Sequence, residues 1–237
     1  IADATVDVSD FNAAVTQANT ATGKTTAAGG ATVFTLSNVT AFNGGTASDF
    51  ATLLTSETNG LISGGITTQA LTVDDGTIGV SAANDLNNTT TGVVTATITE
   101  GDMSTLASLG DKEGGQSTDN AYTVTITDTS VAAGALNTLA GKTSVAVTGS
   151  AITTLTGTIS DVNTAYANTS GITGLGNEAV TISDTDNSSN GVSIADLNTL
   201  DDYTTGTIDA ATITVATGTL AALLEAYGSN GITGLGN

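Results

Sequence analysis

Gly171-Ile-Thr-Gly-Leu-Gly-Asn177 returns residue for residue as Gly231-Ile-Thr-Gly-Leu-Gly-Asn237. Seven consecutive identities about 60 residues apart are not chance, and a period of that order marks a repeat architecture. Working back from these anchors, Val124-Thr-Ile-Thr-Asp-Thr129 matches Val180-Thr-Ile-Ser-Asp-Thr185, and Leu136-Asn-Thr-Leu139 matches Leu197-Asn-Thr-Leu200. Thr156-Gly-Thr-Ile159 matches Thr217-Gly-Thr-Leu220, and Tyr166 matches Tyr227. Residues 121–177 and 178–237 are therefore two copies of one unit, with a short insertion around Asp186 to Asn190 in the second.

Each copy runs twice through one cycle: an alternating Thr/Val/Ile run, a short Ala/Leu/Asn run with helical spacing, then Gly or Thr-Gly punctuation. Tyr122-Thr-Val-Thr-Ile-Thr127 alternates strictly and reads as a strand with Tyr122, Val124 and Ile126 on its buried face. Ile194, Leu197 and Leu200 are three apart and predict an apolar stripe on a short helix. Ser193 is its expected N-cap, and Ser160 with Asp161 the expected start of the equivalent helix in the first copy. A helix so short is marginal alone in water and gains stability when its stripe lies on a sheet. Weaker versions of the cycle begin at Ser9, Ser48, Ser81 and Asp102. The fold class expected is an α/β repeat solenoid of about eight strand-plus-short-helix coils with a parallel β-sheet. The alternative is an all-β helix in which the Ala/Leu runs form further strands. Residues 1–69 form divergent N-terminal coils and 70–120 middle coils. With the units 121–177 and 178–237 they make one continuous solenoid.

Composition agrees with narrow coils. Thr, Ala and Gly number 50, 34 and 29 of 237 residues, and there is no Pro to interrupt strand pairing. The mean hydropathy of +0.19 is too apolar for a disordered acidic tail. With no His and no Cys, the chain has neither a Ser-His-Asp nor a Cys-His nucleophile system, nor a zinc or haem site of the usual ligands. Three Lys or Arg residues against 23 acidic ones, a net charge of −20, offer no patch for phosphate backbones and repel anionic membranes. No apolar run approaches membrane-spanning length. The chain opens at Ile1 without a basic or apolar leader, as expected of a processed chain or a piece of a longer one.

Carboxylates gather where turns are expected, at Asp74-Asp75-Gly76, Asp111-Lys-Glu113, Asp184-Thr-Asp186 and Asp201-Asp202. Asp184, Asp186, Asp74 and Asp75 are candidate calcium ligands, because calcium takes six to eight oxygens from carboxylates, amides and carbonyls. They are not an EF-hand, since Ser189 stands where that loop needs Gly and Ala195 where it needs Glu. The competing reading is a solvated turn. No pair of carboxylates is singled out for acid–base catalysis, the glycines lack nucleotide-loop spacing, and the Thr positions lack the fixed register of an ice-binding face.

The phrases Val93-Val-Thr-Ala-Thr-Ile-Thr99, Tyr122-Thr-Val-Thr-Ile-Thr-Asp-Thr-Ser130, Leu136-Asn-Thr-Leu139, Gly141-Lys-Thr-Ser-Val-Ala-Val147 and Gly171 to Asn177 resemble the Thr/Ala-rich repeat regions of giant surface or secreted proteins of marine cyanobacteria and some of their phages. The resemblance covers residues 70–237 well and 1–69 loosely, and it implies an extracellular structural or adhesive role with no site residue to carry over. The expected function is a non-enzymatic repeat module of an extracellular fibre, filament or cell-surface appendage. Its expected partners are copies of itself end to end or neighbouring repeats of a longer chain. A calcium-assisted adhesin or carbohydrate-binding module with surface glycans as ligands is the alternative, and an acidic glycosidase a remote one.

Overall fold

A computed structural model describes residues 4–20, 29–36, 39–64, 66–74, 76–111, 119–185 and 191–236. Strands and helices alternate along the chain, every paired strand is parallel, and the sheets are open rather than closed into a barrel. The Ala/Leu runs are helices, eight among the described residues, so the all-β alternative does not hold.

The chain divides into two compact units. The first comprises Ile1–Glu100, Ser108–Val124 and Lys142–Val145. Its sheet has the order β1 (Ala4–Asp7), β3 (Val39–Gly45), β5 (Ala70–Val73), β6 (Val94–Thr97), β7 (Ala121–Thr123), with β2 (Phe34–Thr35) and β4 (Ile62–Ser63) forming a separate pair. Val6, Phe42, Leu71 and Val94 stand opposite one another across β1 to β6. Helices α1 (Val8–Thr20), α2 (Ala47–Thr58) and α3 (Val80–Thr89) belong to this unit. Phe11 of α1 meets Phe42 edge to face, with ring centroids 5.3 Å apart.

The second unit comprises Gly101–Ala107, Thr125–Gly141 and Ala146–Asn237. Its sheet has the order β16 (Ile232–Thr233), β14 (Ile208–Asp209), β12 (Ala179–Ile182), β10 (Thr154–Gly157), β8 (Ser130–Ala132). Val131, Leu155, Val180, Ile208 and Ile232 form one buried row, about 25 residues apart in sequence. Burying each such side chain contributes about 1.5–3 kcal/mol. Two shorter pairs accompany the sheet, β9 (Val147–Thr148) with β11 (Ile172–Thr173) and β13 (Val192–Ser193) with β15 (Ala216–Thr217). A two-residue strand carries no periodic signal, so the sequence predicted none of these pairs separately.

Helices α4 (Met103–Leu106), α5 (Ala133–Ala140), α6 (Ile159–Ala167), α7 (Ile194–Tyr203) and α8 (Leu220–Gly228) follow their strands closely. The three-residue spacing works as expected. Ala133, Leu136 and Leu139 of α5, Ile159, Val162 and Ala165 of α6, and Ile194, Leu197 and Leu200 of α7 are all buried. Ser193 caps α7 through the Asp196 amide, as expected. In α6 the cap is Thr158 rather than Ser160. Its hydroxyl accepts from the Asp161 amide at 3.1 Å and donates to the Asp161 carboxylate at 2.9 Å. The expected strand alternation also holds: Tyr122, Val124 and Ile126 are buried while Thr123, Thr125 and Thr127 are exposed.

Candidate functional site

The four candidate calcium ligands are not gathered together. Asp74 is exposed after β5. Asp75 and Asp186 lie outside the described residues. Asp184 is half-buried, and its Oδ2 accepts from the Ile159 amide at 2.7 Å. Ile159 is the first residue of α6, so the Asp184 carboxylate satisfies one of the four amides that a helix start leaves unpaired, at the positive end of its dipole. Asp128, its counterpart in the first copy, does the same for Met103, the first residue of α4, at 2.8 Å. Glu100 does so for Val80 of α3 at 3.0 Å. These carboxylates therefore cap helices that precede them by 20 to 25 residues.

Other carboxylates cap locally. Hydrogen bonds from the Ser104 hydroxyl, then from the amide and hydroxyl of Thr105, hold the Asp102 carboxyl below the usual carboxylate range. The Thr46 hydroxyl and amide do the same for Asp49 in a capping box on α2. Groups lowered in the folded state stabilise it above their unfolded value, so these caps are lost only as pH falls below the ordinary carboxylate range.

A second recurring device joins successive helices. Asn12, Asn137, Asn163 and Asn198 are each the fifth residue of their helix. Their side-chain amides donate to the carbonyls of Asp49, Asp161, Asp196 and Ala222, each the third residue of the next helix, at 2.8 to 3.0 Å. A carbonyl has two lone pairs, so it can serve its own helix and the incoming amide together. Asn84 of α3 works similarly on the Ser108 carbonyl, 2.8 Å away. The clue in the sequence was the Asn of Leu-Asn-Thr-Leu, which returns at 137 and 198.

The Oδ1 atoms of Asn12, Asn137, Asn163 and Asn198 have no partner among the described residues. Replacing Asn163 with Ala removes one bond but also one unpaired oxygen, so the expected loss is only about 1 kcal/mol. Asn163→Asp sets a carboxylate oxygen against the Asp196 carbonyl and is expected to lose about twice as much, roughly 2 kcal/mol. Urea unfolding of the two variants checks the order.

Glu178 is fully buried just before β12. Its Oε2 accepts from the Tyr166 hydroxyl at 2.8 Å, the Gly176 amide at 2.8 Å and the Asn177 amide at 3.1 Å, while Oε1 has no partner among the described residues. Burial, with Glu178 beside it, pushes the Tyr166 hydroxyl above the usual phenol range. Tyr203 stacks on the Tyr166 ring, centroids 5.7 Å apart. The Thr204 hydroxyl donates to the Glu178 carbonyl at 2.7 Å and accepts from the Gly206 amide at 3.0 Å. Thr90 repeats that bridge in the first unit, between the Gln69 carbonyl and the Gly92 amide.

A cavity of about 210 Å³ lies beside Asp184, lined also by Ile159, Ser160, Thr185, Ser193 and Asp196. It brings two carboxylates to its wall. No cluster of three or more acidic, His or Cys side chains placed to hold a metal occurs among the described residues. No described helix is long and apolar enough to cross a membrane. The chemistry the described arrangement performs is positional: carboxylates fix helix starts and asparagines fix helix spacing. Comparison with protein-family models, curated proteins and solved structures returns no match.

Proposed function

We propose that the chain is a structural repeat module of an extracellular fibre, filament or cell-surface appendage, built as a strand-plus-helix solenoid and associating end to end with further copies. The observation that carries this reading is the fifth-residue Asn bond, which recurs between α5, α6, α7 and α8 at nearly constant length. A bond repeated in one position from helix to helix serves stacking, and it places no reactive group at a surface. The resemblance to repetitive surface proteins points the same way.

The charge of −20 sets the conditions for assembly. Copies repel one another at low ionic strength, and screening over about 10 Å at roughly 0.1 M salt relieves that repulsion. Electron microscopy of the purified protein is expected to show fibres of repeating subunits whose length increases with added salt. Compact single particles at low and high salt alike would overturn the reading.

A second reading, a calcium-assisted adhesin or carbohydrate-binding module, draws on the cavity where Asp184 and Asp196 share a wall. Glycan-array binding that a chelator abolishes would favour it.

A further inference from the structure

The two copies of the 60-residue unit end alike, and among the described residues only the first of these ends is covered. Their backbones close in the same way. Val147 donates to the Gly171 carbonyl at 2.9 Å and Ile208 to the Gly231 carbonyl at 2.7 Å, while Gly149 and Ala210 donate to the Thr173 and Thr233 carbonyls, each at 2.8 Å. In the first copy the opening elements of the second lie over this end. β12 pairs with β10, setting Val180 against Leu155, and α7 packs on α6. Tyr203 stacks on Tyr166, and Glu178 binds the Tyr166 hydroxyl with the Gly176 amide. Leu155, Ile159 and Tyr166 are consequently 0 %, 4 % and 6 % exposed.

In the second copy Ala216, Leu220 and Tyr227 hold the same places. Leu220 is 73 % exposed and Tyr227 62 %, with Leu224 of the same helix face at 66 % and Val215 beside β15 at 49 %. They make up most of the large apolar side chains exposed among the described residues. β15 is the terminal strand of its pair. Tyr227 and Gly236 stand where Tyr166 and Gly176 bind Glu178, and a Cβ built on Gly236 would lie 2.6 Å from the Tyr227 hydroxyl, so hydroxyl and Gly236 backbone are adjacent.

We propose that this end is a docking surface for one more copy of the same unit, in the same orientation. Its first strand runs parallel to β15 and its first helix lies on α8. The glutamate ahead of that strand is bound by the Tyr227 hydroxyl and the Gly236 amide. The argument is continuity with the interface that residues 178–203 already make on residues 154–177. One departure from it is Leu224, which stands where the helix-joining Asn163 stands in α6, so the new contact exchanges a hydrogen bond for apolar burial. The assignment rests on the reading of the chain as a stacking module, and its test is separate from fibre formation.

The test extends the chain after Asn237 by a second copy of residues 178–237, which reproduces the Asn177-Glu178 junction. Hydrogen exchange of the α8 amides, Leu220 to Gly228, is then compared with the parent chain. At least about tenfold slower exchange is expected in the extended chain. Leu220→Asp with Leu224→Asp should remove that protection there, yet leave the melting temperature of the parent nearly unchanged because both side chains are exposed. Unchanged exchange in α8, whether or not the added unit folds, overturns the assignment. So does concentration-dependent protection of α8 in the parent alone, which would mean that two copies pair α8 against α8. Absence of fibres with protection in the extended chain would sink the fibre reading and leave the surface standing; fibres without that protection would do the reverse.

Discussion

Glu178→Ala is expected to lower the unfolding free energy by about 3–5 kcal/mol, since it strands three donors at once in or near the core. Tyr166 loses the acceptor for its buried hydroxyl, and Gly176 and Asn177 lose the acceptor for their amides. Glu178→Gln keeps an oxygen where Oε2 sits, so the three donors retain an acceptor. Its amide nitrogen then takes the place of the unpartnered Oε1, so the loss should be smaller, about 1–2 kcal/mol. Urea melts of the two variants separate these cases. Equal losses would mean that side-chain volume, rather than the three hydrogen bonds, holds this part of the unit.

Gly206→Ala and Gly92→Ala are expected to be at least as damaging, at about 3 kcal/mol or more each, because the added methyl meets backbone rather than a movable side chain. A Cβ on Gly206 would overlap the carbonyl of Glu178 and stand 2.7 Å from the Ala179 amide nitrogen. On Gly92 it would overlap the carbonyl of Gln69 and stand 2.7 Å from the Ala70 amide nitrogen. These glycines permit the close approach of one turn to the start of the preceding strand, where the Thr204 and Thr90 bridges form. Gly228 supplies the contrast, for nothing lies within 4 Å of a Cβ built there and it ends a helix. Gly228→Ala should be neutral or slightly stabilising. Thermal melts of the three variants give the comparison; a loss at Gly228 equal to that at Gly206 would refute the close-approach argument. Glu178 and Gly206 share one carbonyl, so their effects are not expected to add.

What could be read from the residues alone follows from where each signal is stored. The burial alternation from Tyr122 to Thr127, of which Ala121–Thr123 is paired as a strand, and the stripe Ile194, Leu197, Leu200 were legible because alternation and three-residue spacing are local and each side chain reports its own burial. The α6 cap was misplaced by two residues because hydroxyls crowd the segment Thr156 to Ser160, and only the geometry selects Thr158. Asp184 looked like a turn carboxylate free for a cation. Its actual partner, the Ile159 amide, is 25 residues away in sequence, and no local pattern encodes such a pairing. Glu178 was passed over for the same reason, since the Tyr166 hydroxyl that engages it comes from the preceding helix. The asparagines were noticed as repeat markers, but their job becomes visible only when one helix is laid beside the next.

The shortness of the strands in the second unit has a mechanical consequence. A load applied across its sheet, from β8 toward β16, pulls at right angles to the strands and tests their pairings one after another instead of all at once. The links β12–β14 and β14–β16 join only two residues on each side, so each is a weak rung. Releasing one strand-and-helix segment of about 25 residues frees roughly 85 Å of slack at about 3.4 Å per residue. In the fibre proposed above, tension in that direction is expected to lengthen the unit in steps, absorbing work while the remaining strand-and-helix segments stay folded.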